Sequence, residues 1–202
     1  TARTRSASTG CSSSAPPAPQ KVVVKSTVKV GDLTAMVADK WVQTGEQKGS
    51  NPGGKFKDAK GQEWYCKFPS DPDTVKNELL AAKFYEMLGV KVPHLRLVMK
   101  DGKLGIASKW VDGIKKGTAG ELAKADGAHA GFVFDAWLAN WDVVGLSNDN
   151  LMLDKDGKAL RVDVGGSLVY RAQGGEKGAA FSNEVPEIDT LLDAAKNDKS
   201  AA

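Results

Sequence analysis

The sequence predicts an α+β protein folded as two small lobes around a shared cleft. Three observations carry that expectation. The first half alternates apolar and polar residues in short runs bounded by Gly and Asp, the pattern of a half-buried antiparallel sheet. One helical segment, opened by Asp71-Pro72 and closed by Gly89, interrupts those runs. The second half holds only short helical stretches and a hydrophobic hairpin flanked by Asn150 and Asp163. At 202 residues the chain is long enough for one ordinary core or for two lobes.

Thr1 to Gln20 is dominated by Ser, Thr, Ala and Pro, with Arg3 and Arg5 and no acid. Such a segment buries too little apolar area to offset its chain entropy, so disorder is expected. It is either a passive end or an export signal, since acid-poor, Ser-rich N-termini serve as addresses. Lys21 to Val30 alternates Val with Lys or Ser and predicts a strand; Trp41 to Thr44 begins a second element. Gly45 to Gly54 reads as a glycine-rich loop, and Lys55 to Phe68 as a hairpin turning at Asp58-Ala59-Lys60-Gly61. In the helix from Asp71 to about Leu88, Val75, Leu79, Ala82 and Leu88 share a face.

Strands follow at Leu95 to Met99 and Leu104 to Trp110, joined by Lys100-Asp101-Gly102-Lys103. Thr118-Ala119-Gly120-Glu121 fits a capping box. Gly131 to Trp141 is apolar and aromatic enough for a buried helix. Leu151 to Leu153 and Leu160 to Val162 form a short hairpin around Asp156-Gly157, and a last helix begins near Val185. The expected organisation is a tail over 1–20, a sheet-rich lobe over 21–112 and a reduced helical lobe over 113–202.

Composition excludes several functions. The content of 41% hydrophobic and 26% charged residues is that of a globular chain, and no apolar run approaches the ~20 residues of a membrane span. Net charge is only +3, with lysines interleaved among acids, so no nucleic-acid partner is expected. Cys11 and Cys66 lie in unlike contexts, which argues against a disulfide and for a reducing compartment. With His94 and His129 as the only histidines and no CxxC, a zinc site is set aside.

The most informative stretch runs from Asn150 to Asp163-Val164-Gly165. It resembles the protein-kinase segment between the metal-binding asparagine and the metal-binding aspartate, with the same separation and a hairpin between. The hairpin returns the chain so that the Asn150 and Asp163 oxygens converge on one hard cation. Asp142, in Asn140-Trp141-Asp142-Val143-Val144-Gly145, stands where a kinase carries its catalytic aspartate, in a loop longer by three residues. Asp149 is the rival acid. Lys67, within Tyr65-Cys66-Lys67-Phe68, needs a partner if buried, and Glu78 on the following helix supplies one. Gly49, Ser50, Asn51, Gly53 and Gly54 lie upstream as a phosphate cover, although not in the usual kinase glycine pattern. Ile106 to Trp110, with Ala107 and Lys109, occupies the place of the hinge that would hold adenine.

With those residues in hand, the chain resembles the HopBF family of small bacterial type III effector kinases over about Trp41 to Leu192. The pieces that carry the resemblance are the Gly49-to-Gly54 loop, Trp64-Tyr65-Cys66-Lys67, Asn77-Glu78, Trp141 to Gly145, Asn150 and Val162 to Gly166. It implies a minimal bilobal protein-kinase-like fold with a truncated C-lobe. It also implies pairing of Lys67 with Glu78, catalysis by Asp142, and ATP with magnesium held by Asn150 and Asp163. The implied substrate is the heat-shock protein 90 chaperone of a host cell, inactivated by a secreted, monomeric effector acting in the host cytoplasm. Thirty-nine residues follow Asp163, so most C-lobe helices are expected to be missing. The alternatives are a kinase-like enzyme that modifies a small molecule or transfers AMP, and a non-catalytic kinase-like binding module.

Overall fold

The computed structural model describes residues 26–143 and 149–185. The tail over Thr1 to Gln20, residues 21–25 of the first expected strand, Val144, Gly145 and the closing helix beyond Val185 lie outside the described residues. In chain order the elements are β1 (Thr27–Val30), β2 (Leu33–Val37), β3 (Val42–Gly45), β4 (Gly53–Lys57) and β5 (Glu63–Lys67). There follow α1 (Pro72–Met87), β6 (Leu95–Lys100), β7 (Lys103–Lys109), β8 (Lys115–Lys116), α2 (Ala119–Leu122), α3 (Ala128–Trp137), β9 (Leu151–Leu153) and β10 (Ala159–Arg161).

Seven strands form one sheet in the order β1-β2-β6-β7-β5-β4-β3, and a second sheet of three runs β10-β9-β8. Every neighbouring pair is antiparallel except β2 with β6. Alternation on β5 decides what each face of the large sheet does. Trp64 and Cys66 point to one side and pack with Phe56, Val98 and Ala107. Tyr65 and Lys67 point to the other, toward α1. On that face Val75, Ala81, Ala82 and Tyr85 of the helix pack onto Leu95, Leu97 and Ile106.

Local signals explain the placement of α1. The Asp71 side chain accepts the Asp73 N–H at 2.9 Å, and Pro72 stands at the first helical position. At the other end, Val90 N–H bonds to Tyr85 C=O and Gly89 N–H to Glu86 C=O, with Gly89 at φ +73°. This double bond closes the helix in a Schellman motif, which the left-handed glycine permits. Leu79 and Leu88 are only half-buried, while Asn77 and Glu78 are buried beside Val75. The inner face of the helix thus carries polar groups as well as apolar ones. The β6–β7 hairpin turns on Asp101 and Gly102, both at positive φ, as a two-residue turn between twisted strands requires.

Two expectations change. Leu33–Val37 forms β2, a strand with no clear sequence signal; it is recruited by parallel pairing of Met36 with Val98. The helix expected at Gly131 to Trp141 is α3, which starts earlier, ends earlier and is not buried throughout. Val133 is 62% exposed and Trp137 54% exposed. The reason is Arg161. A Cβ at Gly131 would lie 2.4 Å from the Arg161 guanidinium, so the helix turns Gly131 and Asp135 inward and leaves Phe132 and Trp137 outside, while Phe134 packs against the core.

Arg161 anchors the second half. It is 1% exposed, and its Nε and Nη2 donate to the two Asp135 carboxylate oxygens, each at 2.6 Å. Tyr85 Oη from α1 donates to the same carboxylate at 2.8 Å and accepts Asn140 Nδ2 at 3.1 Å. This bidentate pair is satisfied on every side, the condition under which a buried ion pair is tolerated. Asp154 closes the β9–β10 turn by accepting the N–H groups of Asp156 and Lys158 and an ion pair from Lys91.

Asp135→Ala strands a buried guanidinium and should destabilise the protein by about 3–5 kcal/mol, read as a lower urea midpoint. A loss under 1 kcal/mol would show that the pair is not an anchor. The Lys91 bond and the two amides hold the Asp154 carboxyl down at about 2. Its stabilising contribution is therefore complete above the ordinary carboxylate range and is lost as pH falls toward 2. Asp154→Asn should flatten the acid limb of stability against pH; an unchanged limb would count against that assignment.

Candidate active site

The end of β5, the second turn of α1 and the residues after β10 meet in one cleft. Lys67 Nζ lies 2.7 Å from Glu78 Oε1 and 3.1 Å from Asp163 Oδ2. The second Asp163 oxygen accepts the Gly165 N–H at 3.1 Å. Gly165 is closely surrounded. Its Cβ would lie 3.3 Å from both Asp163 Oδ1 and Glu78 Oε2. Asn77, beside Glu78, donates to the Ser167 carbonyl at 2.9 Å and so fastens the segment after Asp163 to α1.

Across the cleft, Asn150 Nδ2 donates to both the carbonyl and the Oδ2 of Asp142, each at 2.9 Å. Asp142 N–H in turn bonds to Asn140 Oδ1 at 3.1 Å. Asn140 is the same residue that reaches Tyr85, so the Asp142 loop is tied to the Arg161 anchor through side chains. The Val162 N–H donates to the Asn150 carbonyl at 2.8 Å, extending the hairpin just far enough to place Asp163 beside Lys67.

Charge in the cleft is strongly coupled. Burial alone would pull the Lys67 ammonium down, but Asp163 and Glu78 together hold it above the usual lysine range. Burial pushes the Glu78 carboxyl up against the pull of Lys67, whereas for Asp163 burial is outweighed by Lys67 and the Gly165 N–H together and the carboxyl is held low. Asp142 is raised by burial, and by the nearby Asp163 and Asp149 charges, against its bond from Asn150.

Two adjoining cavities of about 590 and 520 Å³ share Lys67, Asn150 and Asp163, a volume within the range of small-molecule sites. The polar half is lined by Gly49, Ser50, Asn51, Glu78, Asp142 and Asp149. The other half is lined by Tyr65, Ser108, Lys109, Trp110, Met152 and Val162.

The structure thus brings Lys67, Glu78, Asp142, Asn150, Asp163, Gly49, Ser50, Asn51 and Lys109 to one cleft. Three predicted residues stand elsewhere. Gly53 and Gly54 belong to β4 and line neither cavity. A Cβ at Gly53 would sit 2.0 Å from the Cys66 carbonyl oxygen, and one at Gly54 2.7 Å from the Gly45 carbonyl oxygen, so both glycines serve close strand approach. Ala107 is buried in the cluster on the opposite face of the sheet, and its neighbour Ser108 lines the cleft instead.

Tyr65 and Met152 carry no role in the sequence reading, yet period-two alternation marks both. Tyr65 shares the face of Lys67, and Met152 stands between the buried Leu151 and Leu153. Lys177 had no sequence signal. It is 4% exposed and donates to the carbonyls of Ala139, Gly166 and Leu168 at 2.6–2.8 Å, locking the segment after Asp163 to the Asp142 loop.

Among the described residues no group of three or more His, Cys, Asp or Glu is placed to hold a metal alone. The residues present nevertheless fit magnesium, which accepts one or two hard oxygen ligands and completes its shell from phosphates and water. Asn150 uses its amide nitrogen toward Asp142, which leaves the amide oxygen as its metal-binding atom. Asp163 and Asp149 both add to the burial that raises Asp142, a repulsion that a divalent cation between them would relieve.

The fold has a solved counterpart. A crystal structure of a Helicobacter pylori proinflammatory kinase, CtkA, matches with a TM-score of 0.50 at 19% identity. The match covers 66% of this chain and 60% of that one, so less than two thirds of the Helicobacter pylori chain is matched. No family model and no curated protein matches the sequence. The fold is a small kinase-like α+β fold with a large sheet and few helices.

Lys67→Met leaves Glu78 buried and uncompensated and should lower stability by about 3–5 kcal/mol. Lys67→Met with Glu78→Met should recover part of that loss, because the orphaned carboxylate is then absent. Urea unfolding of the four proteins of the cycle reads this out, and strictly additive losses would refute the coupling.

Proposed function

We propose that this chain is a protein kinase that transfers the terminal phosphate of ATP, with magnesium, to a serine or threonine hydroxyl. The observation that carries the reading is Lys67 bridging Glu78 and Asp163, facing the Asp142–Asn150 pair across one cleft. Phosphoryl transfer asks little of a protein beyond positioning and charge neutralisation. Bound ATP and magnesium would supply the activated phosphoryl group and a mobile positive charge.

The chain's own residues supply the remainder. Lys67, held protonated by two carboxylates, presents a fixed ammonium to phosphate oxygens. Asp163 and Asn150 are the hard oxygen ligands for the metal. Asp142 accepts the proton of the acceptor hydroxyl; its raised affinity for protons suits a general base. Tyr65, Met152 and Val162 give the adenine ring an apolar seat beside Ser108 and Lys109.

The motifs around Lys67, Asn77-Glu78 and Asp163 support a finer reading, that of a HopBF-type effector delivered by a bacterium into a host cell. Its substrate on this reading is the heat-shock protein 90 chaperone. Purified chain, radiolabelled ATP and magnesium should label that chaperone, alone and in a eukaryotic lysate, and chelator should abolish labelling. Labelling of other proteins but never of the chaperone overturns the substrate; labelling of nothing overturns the kinase.

Asp163→Ala should abolish transfer while circular dichroism stays near wild type. Asp142→Ala should lower kcat by about 10²–10⁴-fold with little change in ATP affinity, since it serves the acceptor and not the nucleotide. Asp149→Ala should be milder, and the reverse order would move the base to Asp149. Deleting Thr1 to Gln20 should leave kinase activity intact and stop delivery into host cells; undiminished delivery removes the signal role.

A further inference from the structure

The loop between β3 and β4 covers the polar half of the cleft, and β5 and the residue that follows it hold it at two points. At the first, the Tyr65 hydroxyl accepts the Lys48 N–H at 2.6 Å and donates to the Lys48 carbonyl oxygen. At the second, the Phe68 N–H donates to the Pro52 carbonyl at 2.8 Å. Between these points stand Gly49, Ser50 and Asn51, the loop residues that line the polar half of the cleft together with Lys48. Gly49 adopts φ +85°, and its carbonyl accepts Gln47 Nε2 at 2.9 Å.

The two holding residues flank Lys67 in sequence. Any movement of the arch relative to Lys67 therefore breaks a bond to the strand that carries Lys67. One hydroxyl engages both the N–H and the C=O of Lys48, which leaves neither adjoining peptide plane free to turn. Burial raises the phenol's proton affinity, so the hydroxyl stays a donor across the working range of pH. The loop lacks the usual kinase glycine pattern, and here a side chain supplies the placement.

We propose that Tyr65 is a positioning residue for the nucleotide: its hydroxyl sets the height of the Gly49–Asn51 arch over Lys67 and thereby the affinity for a nucleoside triphosphate. The inference rests on the kinase reading and deepens it.

Tyr65→Phe is the test, because it keeps the ring that lines the cleft and removes only the hydroxyl. Two lost hydrogen bonds predict about five- to thirty-fold weaker binding of a non-hydrolysable ATP analogue with magnesium, by calorimetry. The KM for ATP should rise in proportion, with kcat at saturating ATP within about twofold of wild type. In nucleotide-free protein, the Lys48 amide should exchange faster in the variant. A variant that binds the analogue as tightly as a wild type that does bind it overturns the role of Tyr65 and leaves the kinase reading standing. A kcat that falls with KM unchanged also overturns it. A wild type that binds no nucleotide removes the kinase reading itself, and Lys48 exchange unchanged by the substitution shows that the hydroxyl holds nothing.

Discussion

The position of every other part of the site depends on one buried ammonium. Lys67 is 9% exposed and is shared by Glu78 and Asp163, eleven and ninety-six residues away in the chain. A lone lysine there would lose its proton or be expelled, because removing a charge from water is expensive. Two carboxylates at 2.7 and 3.1 Å reverse that outcome. The sheet must then end at Lys67, the helix must present Glu78 in its second turn, and the hairpin must return Asp163 to the same point. Gly165 and Asn77 are consequences of this requirement, the first by leaving space and the second by tethering the returning chain.

A second constraint compensates for the small helical half. Among the described residues, only α2, α3, three short strands and two single turns of 3-10 helix (Ala172–Gly174 and Gly178–Ala180) follow the large sheet. So little apolar area limits what burial contributes. Polar anchors take over: Arg161 and Asp135 join the hairpin to α3, Tyr85 and Asn140 carry that link to α1 and the Asp142 loop, and Lys177 ties two carbonyls of the segment after Asp163 to that of Ala139. Each donor and acceptor in this chain has a fixed direction, which apolar contacts lack. Directional bonding keeps Asp142 and Asn150 facing Lys67 where a larger helical platform would otherwise do so.

The sequence by itself determined the elements whose causes are local. Asp71-Pro72 and Gly89 bound α1, Asp101-Gly102 turns β6 into β7, and Thr118 with Glu121 forms its capping box, because each depends on backbone preferences within a few residues. The convergence of Lys67, Glu78, Asn150 and Asp163 was also legible, since strand alternation and hairpin length restrict where those side chains can point. Tertiary structure alone decided the rest. β2 exists because β6 offers an edge; α3 turns Phe132 and Trp137 outward because Arg161 occupies its inner face. Gly53, Gly54 and Ala107 lie outside the cleft because strand pairing, not glycine content or nearness to a hinge, assigns each residue its face. Lys177 and the Tyr65 hydroxyl could not be read at all, since their partners are backbone atoms, and a backbone carbonyl or amide leaves no mark on the sequence that places it.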